Sequence, residues 1–260
     1  MLFAQRAALL EEQLATLPSL LVALSGGVDS SALLAAAARA LPGRVQAATA
    51  CSPAVPQEEV EQAEEVARMV GVPHLRVPTA EIDDPAYRAN RGDRCYHCRR
   101  EMYARLLETA QEQSLAAVAD GLLADDPLGD RPGVAAARER GILHPLRDAG
   151  IGKGEARRLA LAFGLANHDK PAQPCLASRL PVGTAVTVER LAQVYRAEQA
   201  LRALGYRIVR VRCEGTHGRI ELAPAELARA QAASASLERA VRASGFLTAA
   251  IDPRGYRGAV

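Results

Sequence analysis

Leu20-Leu21-Val22-Ala23-Leu24-Ser25-Gly26-Gly27-Val28-Asp29-Ser30-Ser31 is the stretch whose reading decides the fold. An unbroken apolar run passes through Ser-Gly-Gly into Ala32-Leu33-Leu34-Ala35-Ala36-Ala37-Ala38, which predicts a strand buried on both faces, a tight loop and a helix start. Such a junction suits an anion. Paired glycines let backbone N–H groups turn inward, and the new helix adds unpaired donors and the positive end of its dipole. The hydroxyls of Ser25, Ser30 and Ser31 can add donors to a phosphate or pyrophosphate.

Two familiar nucleotide loops are excluded. The Walker pattern needs Lys before its Ser/Thr, where Asp29 stands, and no G-x-G-x-x-G follows the strand. Outward from the loop, an amphipathic helix is predicted over 2–17. Further strands are expected at 44–50, 74–77 and 115–119, with helices from Pro56 to Met69 and from Lys153 to Phe163. Strands alternating with helices imply a parallel sheet with ligands beyond the carboxyl ends of its strands. After a Pro- and Gly-rich connector at 167–186 the rhythm changes. A helix over 188–204, a hairpin from strands 206–212 and 219–222, a helical stretch from Pro224 and a strand at 246–251 predict a small α+β domain. The expected boundaries are 1–180 and 181–260.

The chain has 260 residues, enough for a substantial core, and its 32 Lys and Arg nearly balance 30 Asp and Glu. No global field calls for nucleic acid or an anionic membrane, so neither is expected as a stable partner. The N-terminus lacks the charge-then-apolar order of a signal peptide, and no apolar run approaches the ~20 residues of a membrane span, so a cytoplasmic protein is expected. Five irregularly spaced cysteines point to metal or redox chemistry rather than a disulfide framework.

Cys95 and Cys98, in Arg94-Cys-Tyr-His-Cys-Arg-Arg100, place two thiols on adjacent turns as half a metal site or a redox pair. His97, His144, His168, Cys51, Cys175 and Cys213 are the remaining candidate ligands. Cys175 lies in the irregular, proline-bracketed Pro174-Cys-Leu-Ala-Ser-Arg179, beside Ser178 and Arg179. Cys51 and Cys213 stand alone at strand ends and read as small buried hydrophobes. On the helix over 188–204, Glu198 falls inside the apolar stripe, either paired there or aimed at a substrate or metal. Alternation sends Arg210 and Arg212 to one face, as a phosphate clamp or a solvated basic face.

The motif S-G-G-x-D-S after a strand resembles the PP-loop of the ATP pyrophosphatases, which adenylate a substrate and release pyrophosphate. Together with Arg94-Cys-Tyr-His-Cys98, Asp169-Lys-Pro171, Pro174-Cys-Leu-Ala-Ser-Arg179 and Asp252 with Gly255-Tyr-Arg257, it is similar over nearly the whole chain to the LarE family of sulfur transferases. The resemblance implies a Rossmann-like α/β domain of PP-loop type carrying the C-x-x-C insertion, with a C-terminal substrate-binding and oligomerisation domain, in a hexamer. It implies binding of ATP with Mg2+ by Ala23, Leu24, Ser25, Gly26, Gly27, Asp29, Ser30, Ser31, Thr49 and Gly121. Cys175, Asp29 and Glu198 are implied to be catalytic, and Ser178, Arg179, Arg210 and Arg212 to hold the substrate phosphate. The implied reaction converts a carboxylate of pyridinium-3,5-biscarboxylic acid mononucleotide to a thiocarboxylate, for nickel-pincer nucleotide biosynthesis. Family members either sacrifice the sulfur of the cysteine in C-L-A-S-R or carry sulfide from a donor on a [4Fe-4S] cluster, and Cys95, Cys98 and Cys175 resemble the cluster ligands. Competing readings are a tRNA thiolase of the same superfamily and a non-catalytic adenine-nucleotide or iron–sulfur module.

Overall fold

The computed structural model describes residues 2–127 and 132–257. In chain order its elements are α1 (Phe3–Ala15), β1 (Leu20–Ala23), α2 (Val28–Ala40), β2 (Val45–Cys51), α3 (Gln57–Val70), β3 (His74–Pro78), α4 (Pro85–Ala89), α5 (Arg94–Glu112), β4 (Ala117–Ala119), α6 (Pro132–Glu139), α7 (Pro145–Asp148) and α8 (Lys153–Ala162). There follow α9 (Val188–Ala203), β5 (Val209–Glu214), β6 (His217–Leu222), α10 (Leu227–Ala232), α11 (Ser234–Ala243) and β7 (Thr248–Ile251). The chain divides into two units, Met1–Glu81 with Asp93–Gln173, and Ile82–Gly92 with Pro174–Val260.

The first unit is α/β, with a four-stranded parallel sheet in the order β3-β2-β1-β4. Alternation along β1 explains its unbroken apolar run. Leu20 and Val22 join a core with α1, α2, α3 and α8, whereas Leu21 joins Tyr103, Leu106 and Ala110 of α5 on the opposite face. The chain leaves β1 for β2 and β3 on one side and later places β4 on the other. The carboxyl ends of β1 and β4 therefore flank the topological switch point, where such sheets hold their ligands. Beyond β4, Leu143 adds one parallel bridge to Ala119.

Several strand boundaries depart from the sequence expectation, β6 starting at His217 and β7 at Thr248, and two of the shifts have clear local reasons. Strand β4 starts at Ala117 because the Leu115 N–H bonds back to Ala110 O at 2.8 Å, closing the end of α5. Strand β5 starts at Val209 because Gly205, at φ +82°, turns the end of α9 and the Tyr206 N–H returns to Leu201 O. The C-x-x-C segment lies in the first turns of the 19-residue α5.

The second unit carries the expected small α+β arrangement, a mixed sheet β5-β6-β7 with α9 and α11 packed on it. Leu191, Val194 and Leu201 of α9 and Val209, Val211, Ile220 and Leu222 of the sheet are fully buried. Residues 82–92 belong here because Asn90 donates to Pro181 O and Thr184 O, and Val186 N–H bonds Arg88 O.

Candidate functional site

The loop between β1 and α2 has the geometry its sequence predicts. Ala23 ends β1, and the Leu24 N–H extends the ladder to Ala48 O at 2.8 Å. Gly26 sits at φ +71°, a left-handed conformation that a side chain disfavours, and a Cβ there would lie 2.9 Å from Glu59 O and 3.2 Å from Ala63 N. Gly27 caps α2, whose first intrahelical bond runs from Ser31 N–H to Gly27 O. The preceding N–H groups of Val28, Asp29 and Ser30 thus lack an intrahelical acceptor at the positive end of the helix. Ser30 Oγ accepts from Ser25 N–H and donates to Gly27 O, while Ser25 Oγ lies 3.1 Å from Ser30 Oγ and accepts from Gly27 N–H. Ser31 Oγ donates to Gly27 O at 2.8 Å.

Residues remote in sequence hold this loop. Asn167 Nδ2 donates to Gly26 O at 3.1 Å and Ser31 Oγ at 2.9 Å, and Lys170 Nζ bonds Gly26 O, Glu59 at 2.6 Å and Gln62. Lys153 Nζ meets both oxygens of Asp29 at 2.8 Å. Burial pushes the Asp29 carboxyl above its ordinary range, against the pull of Lys153. Asp125 accepts from Lys153 N–H at 2.8 Å and so anchors the helix start that carries this lysine. Gly121 approaches from β4, where a Cβ would stand 2.7 Å from Ser30 N. Thr49 is spent on structure, since its hydroxyl donates to Leu24 O at 2.7 Å and lies 2.7 Å from His74 Nε2. Asn167, Lys153 and Lys170 are not among the site residues expected from the sequence; Lys170 lies in the quoted Asp169-Lys-Pro171 motif, whereas no local spacing marks Asn167 or Lys153.

In the second unit, Cys175 is half-buried and caps a 3-10 turn over Leu176–Arg179. Arg179, only 2% exposed, donates from Nη1 to Pro174 O at 2.6 Å, Cys175 O at 3.0 Å and Ser178 Oγ at 2.9 Å, and from Nε and Nη2 to Glu198. Glu198, 1% exposed, also accepts from Arg202 and from Val211 N–H. Of the two readings open for Glu198, the structure displays the paired one: a carboxylate ringed by donors that anchors the arginine behind Cys175. Removing one partner of such a pair strands the other charge in the core. Glu198→Ala is therefore expected to lower unfolding stability by about 3–5 kcal/mol, read from urea denaturation, with a smaller loss for Glu198→Gln.

The four residues expected at a substrate phosphate come together here. Arg212 Nη1 donates to Ser178 O at 2.8 Å and Nε to Glu221 at 3.0 Å. Arg210 is buried, its guanidinium 5.0 Å from the Tyr256 ring centroid. Burial, and then the nearby Arg179 charge, lower the Arg210 pKa, with Glu198 opposing. Beside them Asp252 takes Arg254 and Arg219, which hold its carboxyl well below the ordinary range despite desolvation.

The cysteines are spread over both units. Cys95 is exposed and Cys98 half-buried on α5 of the first unit, Cys175 belongs to the second, and all five are free thiols. Among the described residues no three His, Cys, Asp or Glu side chains converge so as to hold a metal ion. The three cysteines implied as [4Fe-4S] ligands are therefore drawn from both units, two from the first and one from the second. Cys213 is buried as expected, whereas Cys51 is only half-buried, its Sγ donating to Thr49 O. Among the described residues no helix is long and apolar enough to cross a membrane.

Comparison with known proteins agrees with the loop geometry. The family model described as asparagine synthase matches residues 7–91, which contain the loop. An uncharacterised protein of Synechocystis sp. is 44% identical over 207 residues, covering 80% of this chain and 77% of its own. The pyridinium-3,5-bisthiocarboxylic acid mononucleotide synthase of Lactiplantibacillus plantarum is 36% identical over 226 residues, covering 86% of this chain and 82% of its own. Identity at that level along most of both chains, joined to the anion loop and the Cys175 motif, places the protein: it belongs to the LarE family within the PP-loop ATP pyrophosphatases.

Proposed function

We propose that this protein adenylates a carboxylate of pyridinium-3,5-biscarboxylic acid mononucleotide with Mg-ATP and replaces the adenylate by sulfur, yielding the thiocarboxylate used in the nickel-pincer nucleotide cofactor. The observation that carries this reading is the presence, in one chain, of a loop wired for an anion and a half-buried cysteine whose backbone is held by a buried arginine. The similarity to the Lactiplantibacillus plantarum synthase supplies the substrate class.

In the first step a substrate carboxylate oxygen attacks the α-phosphorus and pyrophosphate leaves with the bridging-oxygen electron pair. The N–H groups of Val28, Asp29 and Ser30, with the hydroxyl of Ser25, are the donors that receive this anion, while the hydroxyls of Ser30 and Ser31 hold the loop by donating to Gly27 O. Ala23, Leu24, Gly26, Gly27, Thr49 and Gly121 shape the loop around it. Asp29, paired with Lys153, places an acidic group at the loop. In the second step a sulfur nucleophile adds to the acyl carbon and AMP departs with the C–O electron pair. Cys175 is the thiol assigned to sulfur delivery; where its own sulfur is used, the thioester it forms is released by loss of the Cα proton and cleavage of Cβ–Sγ, which frees the thiocarboxylate and leaves dehydroalanine at position 175. Arg210 and Arg212, with Ser178, are assigned to the mononucleotide phosphate, while Arg179 and Glu198 hold the Cys175 turn.

Pyrophosphate release from ATP is expected only when the mononucleotide is present, and release without it, or with tRNA in its place, would overturn the reading. In the same assay Arg212→Ala is expected to raise the mononucleotide KM about tenfold or more and to spare the ATP KM. That is the loss of one hydrogen bond to a charged group, roughly 1.5–3 kcal/mol. Equal weakening of both ligands would indicate a folding defect.

A further inference from the structure

The carboxyl end of β4 carries a buried polar chain that the proposed steps do not use. Asp120, the residue after β4, is 7% exposed, and each polar group that meets it is a donor. Leu122 N–H reaches Oδ1 at 3.1 Å, the Tyr103 hydroxyl reaches Oδ2 at 2.5 Å, and His144 Nδ1 lies 2.7 Å from Oδ1. The Arg99 guanidinium stands 3.6 Å from the same carboxylate and donates to Tyr103 Oη at 3.0 Å. Although burial alone would raise the Asp120 pKa, bonds from His144 and Tyr103 bring it below the ordinary carboxylate value, so Asp120 is ionised. Desolvation, then the Asp120 charge, push the Tyr103 phenol upward, keeping it a donor.

An ionised carboxylate only accepts hydrogen bonds, so His144 Nδ1 carries a proton and the ring is held in one orientation. The backbone is held as well, because the Leu143 N–H bonds Val118 O and the Asp120 N–H bonds Leu143 O. Among the described residues Nε2 of His144 has no partner, which makes it the open end of an otherwise satisfied network. The network sits where a ligand belongs. Asp120 is at the switch point of the sheet, and the next residue, Gly121, packs so closely on the start of α2 that a Cβ would fall 2.7 Å from Ser30 N. The cations nearest the loop are otherwise engaged, Lys153 with Asp29 and Lys170 with Glu59.

We propose that His144 is a nucleotide-binding residue: its Nε2, oriented through Nδ1 by Asp120, donates to a phosphate oxygen of the ATP held in the loop. A ring that donates from Nδ1 to the Asp120 carboxylate and from Nε2 to a ligand anion meets an acceptor at each nitrogen. The inference rests on the ATP-loop reading but not on the identity of the acceptor, since ATP binding is measurable without the mononucleotide.

Calorimetric titration of the full chain with Mg-ATP, and separately with adenosine, tests it. His144→Ala is expected to weaken ATP about tenfold or more, as for loss of one charge-assisted hydrogen bond, and to leave adenosine unchanged. His144→Gln, which restores an N–H near the position of Nε2, is expected to stay within a few-fold of the parent protein. Wild-type ATP affinity in His144→Ala would overturn the proposal. Equal weakening in both variants, or an equal loss of adenosine, would also overturn it, since that marks a structural role. Thermal melts of both variants separate misfolding from lost contact. If ATP binding shows the expected pattern while mononucleotide-dependent pyrophosphate release fails, the acceptor assignment falls and the His144 assignment stands.

Discussion

Cys175→Ala protein is expected to form no thiocarboxylate while it still releases pyrophosphate when given ATP and the mononucleotide. The separation follows from where the two functions sit. The loop assigned to ATP lies in the unit Met1–Glu81 with Asp93–Gln173, and the Cys175 turn lies in the other. Removing one sulfur atom leaves the Arg179 bonds to the carbonyls of residues 174 and 175 in place, because they are made to the backbone. The acyl adenylate then has no sulfur nucleophile and decays by hydrolysis. Product analysis by mass spectrometry reads the outcome, and thiocarboxylate formed by Cys175→Ala would remove this cysteine from the chemistry. Cys95→Ala and Cys98→Ala report the source of the sulfur. If both stay active and spent protein has lost the elements of hydrogen sulfide at Cys175, the thiol itself is consumed. If both fall silent together with the iron and labile sulfide of anaerobically purified protein, the sulfur is carried on a cluster.

Gly26→Val is expected to weaken ATP binding on the order of 100-fold or more, an effect of about 2.7 kcal/mol. Two costs meet at this residue. Its φ of +71° is strained for any side chain, and the added Cβ would press within 2.9 Å of the Glu59 carbonyl, so either the loop or α3 must shift. Either shift also disturbs the Gly26 carbonyl that Asn167 and Lys170 hold. The substitution thus costs stability as well as binding. Gly43→Ala separates the terms, because Gly43 has the same φ of +71° but nothing within 4 Å of its would-be Cβ. That variant is expected to lose a little stability and no ATP affinity. Unchanged ATP affinity in Gly26→Val would refute the loop assignment.

Much of this was legible in the chain. The run from Leu20 into Ala38 announces strand, loop and helix because each rests on near neighbours: burial on both faces of β1, glycine at a left-handed turn, unpaired donors at the start of α2. The hairpin of β5 and β6 is similarly local. Helix α5 was hidden because only Tyr103, Leu106 and Ala110 of its 19 residues are buried, a narrow stripe among charged neighbours. The burial of Glu198 was visible as a polar residue in an apolar stripe, but its partner was not.

What the sequence by itself determined is the α/β order, the strand–glycine loop–helix junction and the family to which its motifs belong, since these depend on residue types a few positions apart. Only the tertiary structure decided which groups hold that machinery. Asp29 meets Lys153 across 124 positions, Gly26 meets Asn167 across 141, and Arg179 meets Glu198 in a buried pair. The same holds for Asp120 and His144, which are joined because Leu143 adds a bridge beside β4. Contacts of this kind arise when sheet and helices pack, and a buried charge takes whichever partner packing brings within reach, so no spacing along the chain encodes them.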